Sequence, residues 1–456
     1  MSQPFFLRAV NQTTLGVCCA LLLVSTGHAA TTNWPQFRGT DASGVSDDPA
    51  PVAWNVETGE NIRWQTPVPG LGHSCPIVWH DRVYVTTAVR QGAKEDLKVG
   101  LYGEVGSYVE HEPEQWRLLC LDKASGKILW DKLALESTPK SQRHTKSSHC
   151  NSTPATDGQR IVTIFGSEGM FCFDMDGKQL WRKDLGPMDA GWYVDATTQW
   201  GFGSSPVLRD GKIIVQCDVK SEQFLAAYDA QDGHQLWRTA RKDVPTWSTP
   251  LIVSSPGRTQ IIVNGWKQIG GYDFATGKEL WTLNGGGDIP VPTPIVADQL
   301  VILTSGHGPN RPMRAIRLDA SGNITPPSVD ATNQAVAWYQ ARKGSYLQTP
   351  ILVGKLLFGN MDGVLTCFDA QTGEIKYNER IGGGGQGFTS SPVAANGKIY
   401  YPGEQGEVFV IPAASEFSVL ATNNLGGLCL SSPAISEGTI FFRTTGKLVA
   451  VGFTKK

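Results

Sequence analysis

The side chains with chemistry to offer sit in two kinds of segment in this 456-residue chain. His73, His149, Trp200 and Trp247 lie shortly ahead of prolines that open short apolar runs. Glu168, Trp266, Lys267, His307, Arg311 and Asn360 fall in loops between apolar runs. Aromatic faces with cations and carboxylates beside them suit a flat anionic ligand, a glycan or a peptide. These ten residues are the candidate ligand-binding set. No catalytic residue and no metal ligand is assigned. His144 and His149 are too loosely spaced to imply zinc. The glycine run 382–385 precedes a strand pattern rather than a helix, so a helix-dipole phosphate cradle does not apply. No nucleophile elbow or zincin motif is present.

What must position these residues is a repeated phrase. A Ser/Thr-Pro pair opens an apolar run, and later comes Asp-x-x-(Ser/Thr/Asp)-Gly ending in Leu-Trp or a near variant. Thr249-Pro250 precedes Asp273, Gly277 and Leu280-Trp281, and Ser205-Pro206 precedes Asp229, Gly233 and Leu236-Trp237. The opening prolines are Pro76, Pro154, Pro206, Pro250, Pro294, Pro350, Pro392 and Pro433, and their tightest spacings are 41 to 44 residues. That is the length of a four-stranded propeller blade. Proline lacks an N–H and suits the first residue of a strand. The aspartate caps its own turn, and the glycine supplies positive φ. Trp130, Trp181, Trp237, Trp281 and Trp338, with Tyr377 a weaker sixth, are apolar wedges suited to the gap between blades.

The last unit, from Pro433, has sequence for three strands only. Residues Thr58 to Trp64 copy the tail of the phrase, and Trp64 stands twelve residues before Pro76, as Trp338 does before Pro350. The expected fold is therefore all-β: an eight-bladed β-propeller of four-stranded antiparallel blades over residues 50–456, closed by the N-terminal strand, with an arm at 31–49 packing over a face. Strand alternation puts the loops between second and third strands on the same face as the connections between blades. Insertions at about 88–115, 131–149 and 186–203 extend that face, and one at about 322–335 extends the other.

Composition agrees. With 51 glycines, 27 prolines and 18% charged residues the chain reads as many short strands and tight turns. The net charge of −2 gives no basic stripe, so nucleic acid is not an expected partner. Residues 1–30 read as a secretory signal: Arg8, an apolar stretch from about Leu15 to Val24, and small residues for cleavage after Ala29 or Ala30. A periplasmic or secreted monomeric ring is expected, with no membrane-spanning segment after cleavage. Cys18 and Cys19 leave with the signal. Cys120, Cys172 and Cys367 share one repeat position and read as small buried side chains, while a disulfide between Cys75 and Cys150 is left open.

The repeat resembles the β-propellers of the pyrroloquinoline-quinone (PQQ) type over essentially the whole mature chain. The stretch Asn33 to Gly39, followed by Gly70 to Pro76, is similar to a secreted subgroup found in planctomycete-like bacteria. The superfamily holds both quinoprotein alcohol dehydrogenases and the non-enzymatic propeller subunit of the outer-membrane barrel assembly machine. For the dehydrogenases, the resemblance implies PQQ on a tryptophan floor, for which Trp247 or Trp200 is available. It also implies a ring of adjacent cysteines, and a calcium held by Glu, Asn and Asp, for which Glu168, Asn360 and Asp362 are available. The only adjacent cysteines are Cys18 and Cys19, and there is no haem-attachment motif. The adopted reading is a non-catalytic scaffold that binds an unidentified protein, glycan or small anionic ligand, with no cofactor assigned. The alternative is an oxidoreductase that depends on PQQ and a metal such as calcium.

Overall fold

Short runs rich in β-branched and aromatic residues, each ended by a turn that only glycine or a tolerant polar residue accommodates, fold as strands. The computed structural model describes residues 1–2, 32–90, 97–100, 106–195, 197–328 and 331–454. The expected signal thus falls almost wholly outside the described residues, as does part of the 88–115 insertion. The strands assemble into eight blades around an axis. In chain order the blades span 77–137, 155–183, 207–240, 251–283, 295–340, 351–380, 393–424 and 434–451. We number them one to eight. Each is an antiparallel sheet whose first strand is innermost. Among the described residues the only helical segments are two short 3-10 turns, Thr40–Ala42 and Gly166–Glu168.

The ring closes as the copied tail predicts. Blade eight supplies three strands, and Ile62–Pro67 pairs antiparallel with Lys447–Val451 to complete it. Two blades carry a fifth strand. Gly322–Asn323, from the long insertion of blade five, pairs with the outer strand of blade four, and Val45–Ser46 pairs with the inner strand of blade seven.

The wedge tryptophans reveal a second duty for the turn glycines. A Cβ on Gly126 would lie 2.4 Å from the Trp64 ring, on Gly177 3.0 Å from Trp130, on Gly233 2.9 Å from Trp181, on Gly277 2.4 Å from Trp237 and on Gly373 2.7 Å from Trp338. In every pair the tryptophan ends one blade and the glycine belongs to the turn of the next. Trp64, Trp181 and Trp338 also donate their indole N–H to a carbonyl of that next turn. Trp281 departs from the expected slot because blade five has no short turn to receive it. It lies buried over Gly271 of its own blade and donates to Gln260 Oε1 at 3.0 Å.

At the axis the residue before each opening proline forms a belt. Backbone N–H groups donate to the next blade's hydroxyl from Cys75 to Thr153, Thr153 to Ser205 and Ser205 to Thr249, each at 3.0 Å. The belt resumes from Thr293 to Thr349, Thr349 to Ser391 and Ser391 to Ser432, at 2.9 to 3.0 Å. The belt is interrupted between Thr249 and Thr293, and Ser432 lies against the Cys75 thiol. Each such bond contributes about 0.5–1.5 kcal/mol net, and together they fix the blade register at the axis.

Below the belt, residues 32–49 run across the inner strands. Trp34 bridges to Val78, and the guanidinium of Arg38 is buried, donating to the carbonyls of Ala42, Ser43, Pro350 and Pro392. Gly39 is required where the arm doubles back, since a Cβ there would meet the Trp34 ring at 2.8 Å.

Candidate functional site

The connections between blades converge above the belt because each inner strand begins at the same end of the axis. They enclose a cavity of about 570 Å³. Each of the eight connections contributes to its wall: His73, Lys146, Trp200, Trp247, Val291, Tyr346, Thr389 and Leu430 are one residue from each. The loops between second and third strands add Lys98 to Gly100 from blade one and His307 from blade five. Below it a narrower throat of about 150 Å³, lined by belt residues, ends on Phe37 of the arm.

Trp200 and Trp247 lie side by side on one wall, with ring centroids 5.8 Å apart. Gly203 carries no side chain to separate them, and Trp247 is fixed by its indole N–H on the Gly201 carbonyl at 2.8 Å. His144 meets Trp200 edge-on at 5.5 Å. Opposite, His307 stacks on Tyr346 at 5.2 Å and shares a proton with Asp288 Oδ2 at 3.1 Å. His73 Nε2 lies 3.1 Å from the Lys146 carbonyl, so the neutral ring carries its proton there and leaves Nδ1 bare. Burial first, then the nearby Arg443 guanidinium, pushes this imidazole down to about 3.

A strap crosses the cavity. Lys146, in the connection after blade one, forms an ion pair with Glu404 of blade seven. Gly100 N–H donates to the same carboxylate at 3.0 Å, and Lys146 Nζ donates to Gly100 O at 2.9 Å. Thr389 donates its hydroxyl to Glu404 as well, and the Glu404 side chain is 0% exposed.

His73, Trp200, Trp247 and His307 therefore line one cavity, and the other candidates are positioned elsewhere. His149 is turned away and pairs with Glu110 Oε2 at 2.8 Å. Arg143 holds Glu110 Oε1 at 2.6 Å. Burial works against the Glu110 charge, but the bonds from His149 and Arg143 outweigh it and hold the carboxyl below its usual range. Glu110, Glu114 and His149 approach one another within 4.8 Å, but the Arg143 cation already pairs with Glu110. Trp266 and Lys267 lie on the outer rim. Asp243 accepts their backbone N–H groups at 3.0 to 3.2 Å, and Tyr193 packs on Trp266 at 4.7 Å. Arg311 bonds the Gly308 carbonyl. Glu168 is buried and accepts the Lys140 N–H, and its burial raises the carboxyl above the usual range. Asn360 caps its own turn through Gly363 N–H.

The residues do not fit a calcium-bridged quinone. Calcium takes six to eight oxygen ligands, several from carboxylates. Glu168 belongs to blade two, while Asn360 and Asp362 belong to blade six, across the ring. The described wall holds no carboxylate, and Glu404 beside it is already neutralised by Lys146. The open disulfide question is settled against pairing: Cys75 and Cys150 are both buried free thiols. Cys75 faces Thr153 and Ser432, whereas Cys150 faces Thr86 and Ser74.

Sequence reasoning missed Lys98 to Gly100, whose contact with blade seven follows from the fold alone, and the belt hydroxyls. The belt did leave a signal, the Ser or Thr before most opening prolines.

Eight antiparallel blades, wedge tryptophans and a funnel built from the connections define a PQQ-type β-propeller. The chain belongs to the family described as "Outer membrane protein assembly factor BamB", whose model matches residues 114–379 and 221–452. Among solved structures it is similar to BamB from Moraxella catarrhalis, with 16% identity, 80% of this chain and 98% of that chain covered, and a TM-score of 0.54. It is also similar to the quinohemoprotein alcohol dehydrogenase from Comamonas testosteroni, with 11% identity, coverage of 94% and 82%, and a TM-score of 0.65. A europium-containing methanol dehydrogenase gives 12% identity, coverage of 90% and 89%, and a TM-score of 0.59. No curated protein sequence matches. Among the described residues no helix is long and apolar enough to cross a membrane.

Proposed function

We propose that this protein is a periplasmic or secreted binding scaffold that takes a ligand or partner on the funnel face and performs no catalysis of its own. The observation that carries the reading is the funnel wall. Its tryptophan and tyrosine faces stand among Lys98, His73, His144 and His307, and the one carboxylate touching the strap is spent on Lys146. Such a wall favours a flat anionic ligand, a glycan or an inserted side chain of a protein partner. The family description, an outer-membrane assembly factor, supports a protein partner. Cleavage of a leader after Ala29 or Ala30 would deliver the ring, as a monomer, to that compartment.

The alternative, a PQQ- and metal-dependent alcohol oxidoreductase, rests on the similarity to the two dehydrogenases. In that case Trp200 and Trp247 would form the platform for a quinone, which supplies the oxidising group when bound. One experiment separates the two. Mature protein is titrated with PQQ, with and without calcium, while tryptophan fluorescence and dye-linked alcohol oxidation are followed. The scaffold reading expects no calcium-dependent turnover at any PQQ concentration. Calcium-dependent dye reduction above a no-enzyme control would overturn it.

A further inference from the structure

Below the funnel, the throat is a distinct small chamber, and its wall has an uneven balance of donors and acceptors. The belt hydroxyls of Ser205, Thr249, Thr349 and Ser391 line it. Each spends an oxygen lone pair on the backbone N–H of the preceding blade. For none of Ser205, Thr249, Thr349 and Ser391 is the hydroxyl proton given to a protein acceptor among the described residues. A hydroxyl carries one proton to donate, and when its oxygen already accepts, what remains is a donor in search of an acceptor. Next to the chamber, where the belt is interrupted between Thr249 and Thr293, the Thr293 hydroxyl is buried without a partner.

The charges around the chamber have the same sign. Arg38 lies beneath it, 1% exposed, bonded to the carbonyls of Pro350 and Pro392, which directly follow the belt residues Thr349 and Ser391. Its partners among the described residues are all carbonyls, so its charge is solvated but not neutralised. Arg443, 2% exposed, donates to Ser74 Oγ at 2.7 Å and to the Ser74 and Thr86 carbonyls, beside the belt position Cys75. It too lacks a carboxylate partner among the described residues. Buried charges are ordinarily paired, because an unpaired one costs several kcal/mol in lost hydration. The carboxylate that touches a throat residue is Glu404, through Thr389, and Lys146 neutralises it. The other titratable groups at the throat are His73, kept neutral, and the buried Cys75 thiol, whose pKa burial raises.

We infer that the throat is a binding site for a small monovalent inorganic anion of halide size. The ion enters through the funnel, whose wall the throat shares at half of its lining residues, His73, Asn151 and Trp247 among them, and rests on Phe37. It accepts the belt hydroxyl protons, and its single charge offsets part of the positive charge that Arg38 and Arg443 bring close to the belt. A chamber of about 150 Å³ holds such an ion with a few waters, each taking about 30 Å³. The apolar rim of Val291, Leu347 and Leu430 lowers the local dielectric and strengthens the attraction.

The test uses the mature protein with bromide as probe. Thermal unfolding is followed as sodium bromide replaces sodium gluconate at constant ionic strength, and bromide is located by anomalous scattering in crystals grown in either salt. The expected result is a saturable rise in melting temperature and one bromide peak on the axis between Phe37 and Trp247. The double variant Ser205→Cys, Ser391→Cys copies the thiol that blade one already carries at this position. It retains a weak acceptor for the belt and loses two good donors. It should need at least ten-fold more bromide for the same shift. Equal melting in bromide and gluconate, with water alone at the axis of the wild-type crystal, would overturn the inference. If the double variant fails to fold, the wild-type peak decides the matter by itself.

Discussion

The pairing of each wedge tryptophan with the next blade's glycine has a quantitative consequence at Gly373. This residue has φ +72, and a Cβ there would lie 2.7 Å from Trp338 Cδ2 and 2.8 Å from Cε3. Gly354, in the first hairpin of the same blade, has φ +60 and nothing within 4 Å of its would-be Cβ. Alanine at Gly354 therefore meets only the left-handed backbone penalty, about 1 kcal/mol. Alanine at Gly373 meets that penalty and a collision with a ring that cannot swing aside. Trp338 is 6% exposed, and its indole N–H is held by the Ala370 carbonyl at 3.0 Å. Overpacking of this kind costs a further ~1–3 kcal/mol. Gly373→Ala should thus be destabilised by about 2–4 kcal/mol, and Gly354→Ala by about 1 kcal/mol. Urea unfolding followed by tryptophan fluorescence measures both, and a double-mutant cycle isolates the cause. In a Trp338→Ala background the two glycine substitutions should cost the same, because the ring they differ by is gone. Equal costs in the wild-type background, or a difference that survives removal of Trp338, would refute the account of how neighbouring blades lock.

Two further outcomes follow. Trp281→Ala removes a ring that is 1% exposed and should cost about 3–5 kcal/mol, whereas Trp247→Ala, half-buried at the funnel, should cost less stability and more ligand binding. The reverse order in thermal melts would show their roles exchanged. The second concerns pH. His73 titrates near 6.5 when unfolded and at about 3 in the fold, so between those values the unfolded chain binds more protons. Its stabilising contribution is complete above pH 6.5 and falls as pH drops toward 3. His73→Gln, which cannot charge, should therefore lose less melting temperature than wild type between pH 7.5 and 5. Parallel losses in the two proteins would contradict a neutral, half-buried imidazole.

The fold was legible because its signals are local. Proline, aspartate, glycine and tryptophan recur at fixed spacing, and the tail copied before Trp64 identified the closing strand. What could not be read locally was the partner of each residue. The glycine at position 373 reads as a turn, but half of its reason is Trp338, 35 residues upstream in another blade. The site shows the same limit. Residues in the connections start at the axis because the inner strand does, so His73, Trp200 and Trp247 line the funnel. Loops between second and third strands begin farther out, and their length alone does not say whether they reach inward. His307 does, whereas Glu168, Asn360 and Arg311 are consumed by local bonds. Cys75 and Cys150 look paired by position, each just ahead of an opening proline, yet their thiols face different hydroxyls.

The strap gives these interruptions of the repeat a common physical logic. A carboxylate as buried as Glu404 would cost several kcal/mol unpaired. Blade seven offers it the Thr389 hydroxyl but no cation among the described contacts. The cation comes from Lys146 and a second donor from Gly100, and both lie in insertions of blade one and the connection that follows it. The insertions therefore do more than lengthen one sector of the rim. They complete a charge that blade seven leaves unfinished, and their described residues Lys98 to Gly100 and Lys146 join the funnel wall. Lys98, Val99 and Gly100 line the same cavity as Trp200 and Trp247. One ion pair thus joins two interruptions of an otherwise regular ring beside the aromatic wall.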